Sequence, residues 1–211
     1  MTNQQAKLFV IAAPSGAGKT TLVNELVAHD PGLRFSISYT TRQQRSNETP
    51  GVNYIFVTRE EFEALRNKGE MLESAEVFDN NYGTSRTKVA QHLGRGHNVV
   101  LEIDWQGARQ VRESMPECVT VFILPPSREE LERRLRDRRT DTESVIQRRL
   151  RDAMSDMSHW DEFDYVVIND DLEHAVADLQ AVLDGRGEAA ATSNEALRGA
   201  VAGIVGQGIS D

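Results

Sequence analysis

Runs of consecutive apolar residues recur along this chain, and the stretches between them carry apolar positions at the three-and-four spacing of amphipathic helices. The run "LFVIA" at residues 8–12 predicts a strand buried on both faces, and "NVVLEID" (98–104), "VTVFILPP" (119–126) and "DYVVIND" (164–170) predict further central strands. Helical spacing follows the first run in "KTTLVNELVAHD", with Leu22, Leu26 and Val27 on its apolar face, and closes the pattern in "LEHAVADLQAVL" at 172–183. Strands alternating with helices predict an α/β fold, a doubly wound parallel sheet flanked by helices.

Two excursions interrupt that alternation. From residue 35 to about 87 short strands and turns surround one helix, "REEFEALRNKG", which Thr58 and Glu61 should enter as a capping box; "NNYGTS" after it predicts a tight turn. The second excursion, 127–157, starts at Ser127 with Glu130 as its capping partner and runs through two Arg-rich helical stretches broken near "RRTDT". A helix pair standing off a core is a common lid. The expected organisation is a core of 7–34, 88–126 and 158–184, an inserted mixed lobe of 35–87, a lid of 127–157, and a Gly- and Ala-rich tail of 185–211 with at most one weak helix.

Charge narrows the partners. With 24 Lys and Arg against 33 Asp and Glu, the net charge of -9 argues against a nucleic-acid binder, because phosphate backbones favour basic domains. Polyphosphate ligands must then meet local positive clusters. One such cluster places nine arginines between Arg128 and Arg151, with six acidic residues among them, a pattern equally suited to a solvated helix face. The single cysteine, Cys118, excludes an internal disulfide and sits in an apolar stretch that predicts a buried thiol. The first apolar run is too short to span a bilayer and no cleavage site follows it, so the expected location is cytoplasmic, away from membranes.

Candidate chemistry begins directly after the first strand, at "APSGAGKTT" (13–21). Four variable residues followed by Gly-Lys-Thr form the end of a phosphate-binding loop, with Ala13 where the usual first glycine stands. Gly16 and Gly18 let the backbone of Ala13, Pro14, Ser15 and Ala17 wrap an anion, and the following helix points its positive end at the same place. Lys19 would reach the terminal phosphates of ATP and Thr20 would ligate Mg2+. A glycine turn before a helix is the competing reading. Phosphate binding alone still admits GTPases, ATPases and many kinases.

A second constellation is more selective. Ser38, "TTRQQR" with Arg42 and Arg45, Tyr54, Glu73, Tyr82-Gly83-Thr84 and Asp104 follow one another in the order of the acceptor site of the guanylate kinase family. Over residues 7–184 the chain resembles that family. The resemblance implies a P-loop NTPase-type core with an inserted GMP-binding lobe and a helical lid, ATP and GMP as ligands, and Mg2+ with the donor. It implies that Ser38, Glu73, Thr84 and Asp104 read the base, and that Arg42, Arg45, Tyr54 and Tyr82 hold the monophosphate. Guanine presents adjacent N1–H and N2–H donors that one carboxylate accepts together, whereas adenine offers an acceptor at N1, which suits Glu73 to the task. The lid pattern falls on Arg134, Arg138 and Arg149, which with Lys19 and Arg42 form the implied catalytic set.

The chain departs from the family pattern at several points. Glu102 stands where Asp is usual, on the same strand face as Asp104 by alternation, and is the implied second Mg2+ contact. Arg139 replaces a common glycine, and "SNETPGVNY" replaces the usual turn after the acceptor arginines. Two rivals stay open: a scaffold domain that keeps the fold as a peptide-binding module, and a kinase for a phosphorylated sugar. Homo-oligomerisation, use of dGMP and regulation are open as well.

Overall fold

In a computed structural model of the protein, residues 5–46, 48–77, 79–137 and 142–206 are described. In chain order, β1 (Leu8–Ala12), α1 (Lys19–His29) and β2 (Leu33–Phe35) precede β3 (Tyr39–Thr40), β4 (Ile55–Phe56), α2 (Arg59–Asn67), β5 (Met71–Val77), β6 (Asn80–Ser85) and α3 (Arg86–Gly94). Then follow β7 (Asn98–Glu102), α4 (Trp105–Ser114), β8 (Val119–Leu124), α5 (Arg128–Asp137), α6 (Glu143–Met157), β9 (Tyr165–Ile168), α7 (Leu172–Leu183) and α8 (Glu195–Gly206). Five strands form one sheet in the order β2-β7-β1-β8-β9, with β2 parallel to β7 and β8 parallel to β9. Strand β1 is central and all five of its residues are buried, as an unbroken apolar run requires. The α/β reading holds. The helices α3 and α4, polar in sequence and not anticipated, begin at side-chain caps: Ser85 accepts from Lys88 N and Asp104 from Gly107 N.

The chain divides into two compact units, Met1–Val10 with Pro31–Val119, and Ile11–Asp30 with Thr120–Asp211. The first unit holds a second sheet, ordered β4-β3-β6-β5, inside the segment expected as an inserted lobe. Its α2 carries the anticipated capping box in full: the Thr58 hydroxyl accepts from Glu61 N, and the Glu61 carboxylate accepts from Thr58 N. "NNYGTS" corrects an expectation. It is not a turn but β6, paired antiparallel with β5 from Asn80 opposite Val77 to Ser85 opposite Met71. The reversal lies just before it, at Asp79, whose φ of 63° is the left-handed conformation that Asp tolerates. Asn and Gly composition suggested a turn, but these residues are buried by their cross-strand neighbours, which local composition does not report.

The second unit contains the expected helix pair. Helix α5 starts where the Ser127 hydroxyl accepts from Glu130 N, but the Glu130 carboxylate does not complete a capping box; it accepts from Arg133 and Arg134 instead. Leu131 and Leu135 of α5 and Ile146, Leu150 and Met157 of α6 are buried where the two helices pack together. Within this unit Phe122 of β8 stacks on Phe163 at a ring separation of 4.9 Å. The expected break at 138–142, with Arg138 and Arg139, lies outside the described residues except for Thr142, which precedes α6.

The segment after Leu183 packs more than its composition suggests. Ala191 bridges Tyr165 beside β9, Thr192 N donates to Asp164 O at 2.9 Å, and Arg198 lies 5.1 Å over the Trp160 ring. Val201 and Ile204 of α8 are buried. Burying two such side chains contributes a few kcal/mol, at about 1.5–3 kcal/mol each before the ordering entropy. Deleting residues 185–211 should therefore lower Tm by roughly 5–10 °C while turnover at low temperature persists. Thermal unfolding of the shortened chain tests this, and a Tm within about 1 °C of the full chain would show that α8 adds nothing to the core.

Candidate active site

The loop after β1 turns on its glycines. Gly16 and Gly18 take φ of 95° and 91°, and Gly18 caps α1 with no side-chain hydrogen bond and no acidic residue in the first turn. The N–H groups at this helix start thus have no side-chain cap competing with an anion, and the helix dipole points the same way. The Ala17 carbonyl is turned outward and held: Asn169 Nδ2 donates to it at 2.7 Å and Arg134 Nη1 at 3.4 Å. A Cβ at Gly18 would come within 2.4 Å of Asn169 Nδ2, so the bare glycine is required here by space as well as by φ. Arg134 is fixed further by donating to Asn169 O at 3.0 Å and to Glu130 at 2.7 Å. Its partnership with Arg133 and Arg134 holds Glu130 down at about 2. The expected lid arginine therefore lies against the phosphate loop. Arg149 is half-buried on α6, and Arg138 lies outside the described residues.

The first unit gathers the acceptor candidates. Glu73 on β5 faces Thr84 on β6 as a cross-strand pair, and the residue is only 4% exposed. Burial pushes Glu73 up to about 7; the Asp104 charge adds to this, and the adjacent Thr84 opposes it. Thr84 is fully buried, and its hydroxyl lies beside the Glu73 carboxyl group. Asp104 is not a strand residue as alternation suggested. It follows the end of β7 as the N-cap of α4, accepting from Gly107 N at 2.7 Å, while Glu102 ends the strand half-buried. A buried carboxyl group next to a second, half-buried one can accept adjacent N–H donors from a flat base.

Arg42, Tyr54 and Tyr82 form a neighbouring cluster. The Tyr54 and Tyr82 rings meet edge-on at 5.9 Å, and the Arg42 guanidinium lies 5.3 Å over Tyr54. Burial raises the Tyr54 hydroxyl above its ordinary value, with the Glu102 charge adding to it. Arg42 donates to Glu48 at 2.6 Å, the two side chains being 15% and 11% exposed, and Arg45 N donates to the other Glu48 oxygen at 2.8 Å. This pair holds Glu48 below the usual carboxylate range. Arg45 itself is exposed, and Ser38, half-buried, accepts from Ile55 N through its carbonyl. Gly83 is buried between Glu73 and the α2 residue Phe62. Sequence reasoning missed Glu48 and Asn169. The signal for Asn169 was its place at the carboxyl end of a core strand, where open α/β sheets hold their ligands.

The guanylate kinase family model matches residues 5–186. The chain belongs to the guanylate kinase family. It is 58% identical over 175 residues to the guanylate kinase of Alkalilimnicola ehrlichii, covering 83% of this chain and 86% of that one. It is 52% identical over 182 residues to that of Pseudomonas fluorescens, covering 86% and 88%. Among solved structures, the crystal structure of guanylate kinase from Anaplasma phagocytophilum superposes with a TM-score of 0.72 at 33% identity over 94% of both chains. The family's parallel five-stranded sheet and second mixed sheet are those described above.

The raised Glu73 has a stability consequence with a definite sign. Its folded value, about 7, exceeds its ordinary 4.5, so the folded protein binds more protons than the unfolded chain between those limits. The resulting contribution is full below about pH 4.5 and is lost as pH rises through 7, by up to about 3 kcal/mol. Glu73→Gln removes this dependence, so the mutant should gain stability relative to wild type from pH 5 to pH 8. Denaturation midpoints across that range measure it, and a difference independent of pH would mean that Glu73 is not buried as described.

Proposed function

We propose that the chain transfers the γ-phosphoryl group of ATP to GMP, giving ADP and GDP, and that dGMP is a second acceptor. Family membership supports the reaction. The observation that carries the choice of base is the buried Glu73 carboxyl beside Asp104 and the buried Thr84 hydroxyl. In this reading the Glu73 carboxylate accepts guanine N1–H and N2–H, and Ser38, Thr84 and Asp104 complete the base contacts. Arg42, Arg45, Tyr54, Tyr82 and the Gly83 backbone seat the monophosphate, which takes over part of what Glu48 does for Arg42. Residues Ala13 to Thr20 hold the ATP phosphates.

Phosphoryl transfer asks little covalent chemistry of a protein and much electrostatic positioning. Lys19 and the N-terminal end of α1 meet charge on the donor. Arg134, Arg138 and Arg149 meet the charge that spreads over the migrating group and exclude water from it. Among the described residues no three His, Cys, Asp or Glu side chains gather as a metal cage. Mg2+ needs none, since it keeps most of its water and takes one or two protein oxygens besides phosphate. The Thr20 hydroxyl and the Glu102 carboxylate are hard oxygen donors that fit this demand. When bound, Mg2+ neutralises β- and γ-phosphate charge. In this reading the reaction runs in the cytoplasm, on free nucleotides; no helix of the described residues is long and apolar enough to cross a membrane.

The intact loop and acceptor residues favour an enzyme over a peptide-binding module, and the base pocket favours a nucleotide over a sugar phosphate. An ADP-release assay with ATP and Mg2+ against GMP, dGMP, AMP, UMP and sugar phosphates tests this, with turnover expected on GMP and dGMP; equal rates on AMP would overturn the assignment. Lys19→Ala should lower kcat by roughly a hundred-fold or more while GMP binding stays measurable by calorimetry. Arg149→Ala should likewise lower kcat far more than GMP affinity, because the charge it would meet on the migrating group develops only when both substrates are bound. Parallel losses of GMP affinity and rate in Arg149→Ala would place it in acceptor binding instead.

A further inference from the structure

Helix α4 does more for the acceptor pocket than begin at Asp104. Strand β5 is the edge of the second sheet, and at Ser74, directly after Glu73, its free edge is paired by a side chain. Gln110 Oε1 accepts from Ser74 N at 3.0 Å, and Gln110 Nε2 donates to Ser74 O at 2.9 Å. One carboxamide thus satisfies both main-chain groups, as a further strand would, across 36 residues of sequence. Between Asp104 and Gln110 stands Gly107, three residues from each and buried. A Cβ there would lie 2.8 Å from Glu73 Oε2 and 3.3 Å from Asp104 Oδ1. The Glu73 carboxyl therefore occupies the volume that a side chain at position 107 would fill. Close packing of α4 on β5 runs along this same side of the helix.

We propose that Gln110 and Gly107 determine acceptor-base specificity: Gln110 clamps the β5 edge so that Glu73 projects into the space Gly107 leaves beside Asp104. Gln110 is a positioning residue, since it touches strand β5 and not the base. The clamp sets the main chain at the residue after Glu73, and a strand edge released at that point lets the Glu73 side chain swing by a fraction of an ångström. Two adjacent N–H donors on a rigid base do not tolerate such a swing at one carboxylate, whereas a base with a single N–H does. Gly107 acts by volume. Any larger residue pushes Glu73 Oε2 away from Asp104, or pushes α4 away from β5, and either movement spoils the paired acceptors. The inference rests on the reading of Glu73 as the guanine acceptor.

Its signature is the ratio of kcat/KM for GMP to that for inosine monophosphate, whose base keeps N1–H and lacks the 2-amino group. Gln110→Met keeps an unbranched side chain of similar length and deletes both bonds to Ser74. It should raise the KM for GMP and lower the GMP-to-IMP ratio by about ten-fold, with the KM for ATP unchanged within about two-fold. Gly107→Ala should lower the ratio by a similar factor. Glu73→Gln, measured alongside, separates the two layers of the argument: an unchanged ratio in Glu73→Gln overturns the reading of Glu73, while a lowered ratio there with an unchanged ratio in Gln110→Met overturns only the positioning role. The double variant Glu73→Gln with Gln110→Met decides between positioning and general damage, because a clamp that acts through Glu73 has no further effect on the ratio once that carboxylate is gone. A second, independent ten-fold loss in the double variant overturns the proposal, as does equal loss of ATP and GMP affinity in Gln110→Met. Should Gln110→Met fail to fold at the assay temperature, Gln110→Glu, which keeps the acceptor for Ser74 N and loses the donor to Ser74 O, is expected to show an intermediate ratio. A wild-type ratio there, with Gly107→Ala also at wild type, overturns the proposal.

Discussion

The carboxyl group of Glu73 is buried beside that of Asp104, and much of the first unit is arranged so that this costly placement can persist. An acid withdrawn from water either finds donors or holds its proton, and Glu73, pushed up to about 7, stands at the balance between the two. A ligand offering two N–H groups resolves that balance toward the carboxylate. Binding and proton release are therefore linked at this residue, and the linkage is a property of burial rather than of any one contact. The strand pairing of β5 with β6, the cap at Asp104 and the bare α-carbon of Gly107 all act on this one group.

Arg42 and Glu48 present the opposite solution to the same problem. Here the charge of a half-buried guanidinium in an aromatic setting is balanced by a carboxylate 2.6 Å away. Removing either partner would leave the other desolvated and unpaired, which is dearer than never having buried the pair. An anion arriving at Arg42 finds the guanidinium already oriented, with its planar face against Tyr54 and one edge on Glu48. The loop around Ala17 follows the same economy of orientation. Asn169 and Arg134 both donate to the Ala17 carbonyl, the group in this loop that would repel an anion.

Much of this was legible in the sequence because the signals were local. The buried run of β1, the glycine loop and the box at Thr58 and Glu61 are each set by residues within a few positions of one another. The ordered acceptor candidates were singled out for a different reason, since their types suit the chemistry of guanine and phosphate, and the structure pairs Glu73 with Thr84 and Tyr54 with Tyr82. What escaped was decided by pairing across distance. Strand β6 has the composition of a turn and becomes a strand through β5, and Asp104 reads as strand but caps α4. Segment 185–206 has the composition of a tail and gains order from Tyr165, Asp164 and Trp160.

The same distinction explains why the residues that read a base are easier to find than the residues that aim them. A carboxylate facing guanine has its identity fixed by hydrogen-bond complementarity, and its type alone announces it. Gln110 works through the main chain of Ser74, where any side chain may sit, and nothing in its own neighbourhood of sequence points to β5. Gly107 works by lacking atoms. In a helix its cost is about 1 kcal/mol relative to alanine, which makes it an unfavourable choice unless something needs the space. The Glu73 oxygen lying 2.8 Å from where a Cβ would stand supplies that need. A glycine three residues into a capped helix thus leaves room for a neighbour that comes close, and here the neighbour is the Glu73 carboxyl group.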